Sequence, residues 1–329
     1  MSRASMKARS PSEIVSVTRR SSMRSASLRV SNLSCSSRLP SWNSSLVTDE
    51  GYAWPPRYGD AVSDVTELLE LAVDLARRAS QLLLDDAPER AADVGTKSSR
   101  TDMVTAVDRA SEALIVGSLE KARPDDGVLG EEGSRREGTS GVRWIIDPLD
   151  GTTNYLYGFP VYSVSIAVEV DGEVEAGVVA HPSLGELFTA RRGGGANCNG
   201  QPIAVSAKDE LATALIGTGF AYDPDRRREQ ARWLERVLPL VRDVRRAGAA
   251  SIDLCWVACG RLDGFYEAGL SPWDVAAGDL IAREAGAETS DFAGEPLRAG
   301  SVVAATPAIA PALRRLLADA TAASHGNTL

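Results

Sequence analysis

The stretch 144-WIIDPLDGTTN-154 decides how this chain is read. Trp144, Ile145 and Ile146 form a short apolar run of the kind that makes a buried strand. Asp147 and Asp150 follow at once, with Pro148 between them and Gly151-Thr152-Thr153 behind. Turn chemistry accounts for one aspartate, the proline and the glycine. It leaves two like charges at the end of an apolar strand without a reason. A divalent cation supplies one. Crowded oxygen ligands suit hard Mg²⁺, whose charge converts their repulsion into attraction. The Gly-Thr-Thr segment adds backbone N–H groups where a helix can begin, which suits a phosphate oxygen.

Composition narrows the chemistry. The chain has 329 residues, 43% hydrophobic and 25% charged, as a globular protein of one large or two smaller domains does. Its formal net charge of −9 argues against broad binding to nucleic acid or anionic membrane. No apolar run reaches the span of a membrane helix. The two histidines are His181 and His325, so a Ser-His-Asp triad or a histidine-rich zinc site is close to excluded. Cys35, Cys198, Cys255 and Cys259 lack metal-site spacing and read as small core residues; a reducing cytoplasm fits them.

Residues 1–48 are rich in Ser and Arg and read as a disordered tail, either a targeting peptide or a dispensable extension. Regular patterning starts near Asp64. Leu68, Leu69, Ala72, Val73, Ala76, Leu82 and Leu83 recur at helical spacing, and Asp64 with Glu67 resembles a capping box. Further helices are expected at about 104–120, 225–240, 249–259 and from Ser271. Strands are expected at "GVLG", "WII", "ELFTA", "ALIGTGF", "LDGFYEA" and "SVVAAT", with a hairpin around Asp171-Gly172. Hairpins mixed with helices predict an α+β fold.

Carboxylates recur where strands or turns meet helices. Thr105 and Asp108 match a capping box, Glu131 and Glu132 read equally as a solvated turn, and Asp274 complements a helix N-terminus after Ser271-Pro272. Each has an ordinary structural reading when taken alone.

Taken together, these segments resemble the inositol monophosphatase family of Mg²⁺-dependent, lithium-sensitive phosphatases. "WIIDPLDGTTNYLYGFP" is similar to its first signature and "WDVAAGDLIAREAG" to its second, while "TKSSRTDMVTAVD" and "GEEG" match its other metal-site segments in order. The resemblance covers about Asp64 to Leu317 and implies a layered αβαβα sandwich of the sugar-phosphatase type. It implies an N-terminal half, 61–190, carrying most metal ligands, a C-terminal half, 191–320, completing the site, and a flexible tail, 321–329. Glu131, Asp147 and the Leu149 carbonyl would hold one Mg²⁺; Asp147, Asp150 and Asp274 would hold a second; a looser third would lean on Glu131. Thr152, paired with Asp108, would orient and deprotonate the attacking water, with Thr105 and Lys97 in support. The Gly151 and Thr152 backbone would bind phosphate. Glu267, Gly248 and Ala250 would meet a small phosphorylated polyol. A homodimer is implied as well, with a membrane excluded and nucleic acid disfavoured. Ala249, Tyr157 and His181 depart from the family pattern, and Ala249 removes one potential substrate hydroxyl contact. The implied substrate is inositol 1-phosphate. Histidinol phosphate, fructose 1,6-bisphosphate and 3′-phosphoadenosine 5′-phosphate are alternatives on the same fold, and a regulatory interaction protein is an alternative of another class.

Overall fold

The structure, a computed structural model, describes residues 65–87, 94–96, 103–297 and 300–325. Lys97 and Asp64 lie outside the described residues, as does the tail, 1–48. In chain order the helices are α1 (Val65–Asp86), α2 (Ala106–Ala122), α3 (Thr152–Leu156), α4 (Pro224–Val237), α5 (Ala250–Ala258), α6 (Pro272–Glu284) and α7 (Ala310–His325). The strands are β1 (Val94–Thr96), β2 (Met103–Thr105), β3 (Gly127–Gly130), β4 (Arg135–Arg136), β5 (Val142–Asp150), β6 (Ser163–Val170), β7 (Glu173–His181) and β8 (Glu186–Arg191). They continue with β9 (Ala196–Cys198), β10 (Gln201–Pro202), β11 (Leu215–Thr218), β12 (Asp243–Arg245), β13 (Gly264–Leu270), β14 (Glu288–Ser290) and β15 (Gly300–Ala305).

Two large sheets form among the described residues. The first has the order β10-β9-β8-β7-β6-β5-β3-β4 and is antiparallel except where β3 runs parallel to β5. The second has the order β12-β11-β13-β15-β14, with β11 parallel to both of its neighbours. Side-chain alternation along the strands sets the layers. Trp144, Ile146, Val164, Ile166 and Val178 face α1 and α2, packing on Leu68, Leu75 and Ile115. Ile145, Ala167 and Val179 face the opposite way, onto Ile252 of α5 and Leu280 and Ile281 of α6. The far side of α5 and α6 meets Phe265, Val302 and Ala304 of the second sheet. That sheet's outer face, including Ile216, Tyr266 and Val303, packs against Val237 of α4 and Leu313 and Leu317 of α7. The result is the expected αβαβα sandwich. Because α5 and α6 are buried on both sides, α5 is apolar all round rather than striped.

Local sequence explains the hinge points. The β6–β7 hairpin turns at Asp171-Gly172, both with positive φ, as a primed turn requires. Strand β12 is only three residues long, too short for its alternation to stand out, and it escaped the sequence reading. The β1–β2 pair was also unread.

Two buried carboxylates fix the elements nearest 144–154. Asp126 accepts the Trp144 indole N–H at 2.8 Å and the Ser140 hydroxyl at 2.7 Å. Glu112 of α2 accepts the backbone N–H of Glu132 at 2.8 Å and of Ser134 at 2.9 Å, pinning the turn that carries Glu131. Removing the Glu112 carboxylate strands those donors, and Glu112→Ala is expected to cost about 1–3 kcal/mol in urea unfolding. Unchanged stability would show that water or relaxation satisfies the turn instead.

Candidate active site

The site assembles at the end of β5. Strand β3 runs parallel to β5 with Gly130 opposite Ile146, so the next residue on each, Glu131 and Asp147, fall side by side. The Glu131 N–H donates to Ile146 O at 3.1 Å. Beyond Asp147 the ladder with β6 is interrupted and resumes only at Asp150 opposite Ser163. Pro148, which has no N–H to give a ladder, stands in that irregularity. Asp147 Oδ1 accepts the Leu149 N–H at 3.0 Å, which folds the carboxylate back over the bend.

Gly151 then adopts φ 89° and opens α3. A Cβ here would sit 3.0 Å from Val161 O and 3.3 Å from both Gly248 O and the Ala249 Cβ, so glycine is required on conformational and spatial grounds. Asn154, one turn on, donates to Val161 O at 2.7 Å and Ala247 O at 2.8 Å. Those bonds tie the β5–α3 corner to the segment holding Gly248, Ala249 and Ala250.

Asp150 does two things. Helix α5 begins after Ala249, which cannot cap it. Asp150 Oδ2 takes that part across the fold, accepting the Ser251 N–H at 2.8 Å and the Ser251 hydroxyl at 2.6 Å. The Ser251 oxygen is itself 2.8 Å from Ser163 Oγ. Asp274 closes a capping box on α6, its Oδ2 accepting the Ser271 N–H at 2.6 Å. Thr152 donates to Asp108 Oδ1 at 3.0 Å and reaches the Leu149 carbonyl at 3.1 Å. The other oxygen of Asp108 accepts the N–H of Thr105 at 2.9 Å and its hydroxyl.

The carboxylates raise one another's pKa. Burial pushes Asp147 well above the usual carboxylate range, and the charges of Glu131, Asp150 and Asp274 push it further. The Glu131 carboxylate lies close enough to Asp147 to raise it both through its charge and through a side-chain contact. Asp150 is pushed up to about 6 by burial, against the donors of Ser251. Asp274 is raised by burial and by Asp150. Glu267, on β13, is pushed up to about 7 by burial, while the Arg246 guanidinium acts to lower it.

This donor set fits a hard divalent cation. It is all oxygen, and either a proton or a cation relieves its mutual repulsion. Among the described residues no three Asp, Glu, His or Cys side chains are already turned to one shared ligating point. Asp147, Asp150 and Asp274 each have a hydrogen bond to one carboxylate oxygen.

Of the residues named from sequence, Glu131, Asp147, Leu149, Asp150, Gly151, Thr152, Asp108, Thr105 and Asp274 come together here; Glu267, Gly248 and Ala250 flank them, and Lys97 lies outside the described residues. Sequence reading missed Ser251, Glu112, Arg246 and Asp253. Asp253 is fully buried, both its oxygens lack a partner, and burial with the charge of Glu267 raises it well above normal. An acid at the fourth position of an apolar helix was the available signal for it. His181 is fully buried and held down to about 4 by burial, a neutral core residue. Tyr157 is 78% exposed.

A sequence profile of the inositol monophosphatase family matches residues 64–325. The chain belongs to that family. It is 47% identical to the inositol-1-monophosphatase of Mycobacterium leprae over 67% of this chain and 79% of that one. It is 43% identical to the Nus factor SuhB of Pasteurella multocida over 74% of this chain and 92% of that one. Among solved structures, a Thermotoga maritima IMPase superposes with a TM-score of 0.73 at 32% identity, over 78% of this chain and 99% of that one. No described helix is long and apolar enough to cross a membrane.

The crowding has a sign that can be measured. The raised acids have folded pKa values above their ordinary 3.8 or 4.5. Asp150 and Glu267 therefore contribute stability that is full below about pH 4 and is lost as pH rises through about 6 to 7, and Asp147 and Asp274 lose theirs in the same direction. His181 runs the other way, its contribution fading as pH falls from 6.5 toward about 4. Four acids outweigh one imidazole, so in chelator the Tm is expected to fall between about pH 5.5 and 7.5. A rising Tm over that interval would mean that the carboxylates do not share one field.

Proposed function

We propose that this protein is a Mg²⁺-dependent phosphomonoesterase acting on a small polyol phosphate, with inositol 1-phosphate as the leading substrate. The observation that carries the reading is the convergence of Glu131, Asp147, Asp150 and Asp274 from three chain segments around a corner whose backbone turns at Gly151. Glu131, Asp147 and the Leu149 carbonyl would hold one ion, and Asp147, Asp150 and Asp274 another. Glu131 would steady a weaker third. Bound there, Mg²⁺ supplies charge neutralisation and lowers the pKa of a water.

The chain's own groups do the rest. Asp108 holds the Thr152 hydroxyl and so fixes where a water beside it can sit. As the water gives its proton to Thr152 Oγ1, the Thr152 hydroxyl proton passes along its hydrogen bond to Asp108 Oδ1, so the carboxylate is the final acceptor. Thr105 anchors Asp108 in turn. The Gly151 and Thr152 N–H groups face a phosphate oxygen. Glu267, with Gly248 and Ala250, forms the far wall, where a carboxylate accepts polyol hydroxyls. Ala249 leaves one contact unmade on that wall, which weakens discrimination between similar polyols. We also propose that the chain acts as a homodimer in the cytoplasm and that the halves 61–190 and 191–320 divide the site between them.

A phosphate-release assay over inositol 1-phosphate, histidinol phosphate, fructose 1,6-bisphosphate and 3′-phosphoadenosine 5′-phosphate tests the reading. The expected result is turnover that requires Mg²⁺ and favours inositol 1-phosphate. The relatives named Nus factor SuhB motivate a second reading, a role in transcription through partner binding. Absence of hydrolysis of all four compounds, with partner capture intact, would favour it. Asp150→Asn separates structure from chemistry at the metal site. Asparagine still caps α5, so the fold should survive with a loss of about 1 kcal/mol or less, while activity should all but vanish. Normal turnover by that variant would remove Asp150 from the metal site.

A further inference from the structure

The segment 214-ALIGTGF-220 enters the sequence only as a strand, and nothing in the chemistry above uses its glycines. Gly217 lies in strand β11, and Gly219 follows just beyond the strand's end at Thr218. A Cβ on Gly217 would meet the Asp253 Oδ1 at 3.0 Å, the Leu262 methyl at 2.8 Å and the Phe265 ring at 3.2 Å. At Gly219 the situation is sharper. Its nearest neighbours are the two oxygens and the carbon of the Glu267 carboxyl, all of them far inside contact distance of any Cβ. The whole carboxyl group lies flat against the Gly219 Cα. Arg246, exposed at the rim beside Gly248, is the cation that faces the same carboxyl.

We propose that Gly219 is a specificity-determining positioning residue: by having no side chain it provides the seat that holds the Glu267 carboxylate at the polyol end of the pocket. The inference rests on the phosphatase reading and deepens it. Residue 219 touches no substrate itself. It acts by deciding where the one carboxylate suited to hydroxyls can stand.

The geometry makes alanine a clean probe. Gly219 does not have positive φ, so an L side chain is allowed by the backbone. The group that must move is the mobile end of Glu267, not backbone. Gly219→Ala should therefore fold normally and swing Glu267 out of its seat.

The test is steady-state kinetics with inositol 1-phosphate and with p-nitrophenyl phosphate, which carries no polyol hydroxyl. In Gly219→Ala the KM for inositol 1-phosphate should rise roughly 10- to 100-fold, the value of a hydrogen bond to a charged group, with kcat nearly kept. The preference for inositol 1-phosphate over p-nitrophenyl phosphate should fall by the same factor. Adding Gly219→Ala to Glu267→Ala should change nothing further, because the seat then has no occupant. Glu267→Asp, one methylene shorter, should restore part of the lost preference in the Gly219→Ala background. A purely structural role for Gly219 would lower kcat for both substrates and add to Glu267→Ala, and either result overturns the proposal. Unchanged KM in a folded Gly219→Ala protein overturns it too. If the wild-type protein hydrolyses neither compound, the phosphatase reading falls first and takes the inference with it.

Discussion

The mutual repulsion of Glu131, Asp147, Asp150 and Asp274 is the constraint around which the rest of this fold is arranged. Left to themselves, four acids in one buried corner would move apart or take up protons. The fold prevents the first. Three of the carboxylates are tethered by donors: Leu149 N–H for Asp147, Ser251 for Asp150 and Ser271 N–H for Asp274. Glu131 is held through its backbone, by its bond to Ile146 and by the turn that Glu112 pins. The repulsion is therefore stored, and a cation relieves it more fully than protons do at neutral pH.

The five layers explain how distant segments meet at that corner. The parallel pairing of β3 with β5 is the exception in an otherwise antiparallel sheet, and it is what sets Glu131 beside Asp147. The middle helix layer brings its own acid to the same place through the start of α6. Its other helix, α5, has no N-cap of its own and borrows Asp150 from the first sheet. One carboxylate thus links the packing of the layers to the composition of the site.

Much of this was legible in the sequence because it is local. The β6–β7 hairpin, the capping boxes at Thr105 and Ser271, and the two-aspartate bend after Trp144 are written within a few residues of themselves. The helix and strand periods followed from apolar spacing. What escaped depends on pairing across the chain. Strand β12 is three residues long and lies at a sheet edge, so its alternation is too short to mark it. Glu112 looks like a surface acid on an amphipathic helix until the turn at 132–134 closes over it. Ser251 looks like a helix residue with no task until Asp150 arrives from 101 positions away.

The reacting end and the selecting end of the pocket are under different physical control. At the proposed reacting end, charge dominates, since Glu131, Asp150 and Asp274 all raise Asp147. At the other end, Glu267 is raised to about 7 by burial, with Arg246 pulling against that shift. Its ionisation responds to an exposed arginine, and its carboxyl occupies the space that a side chain at Gly219 would take. The first end is thus governed by charge that must be neutralised, and the second by the space and the cation around one carboxylate.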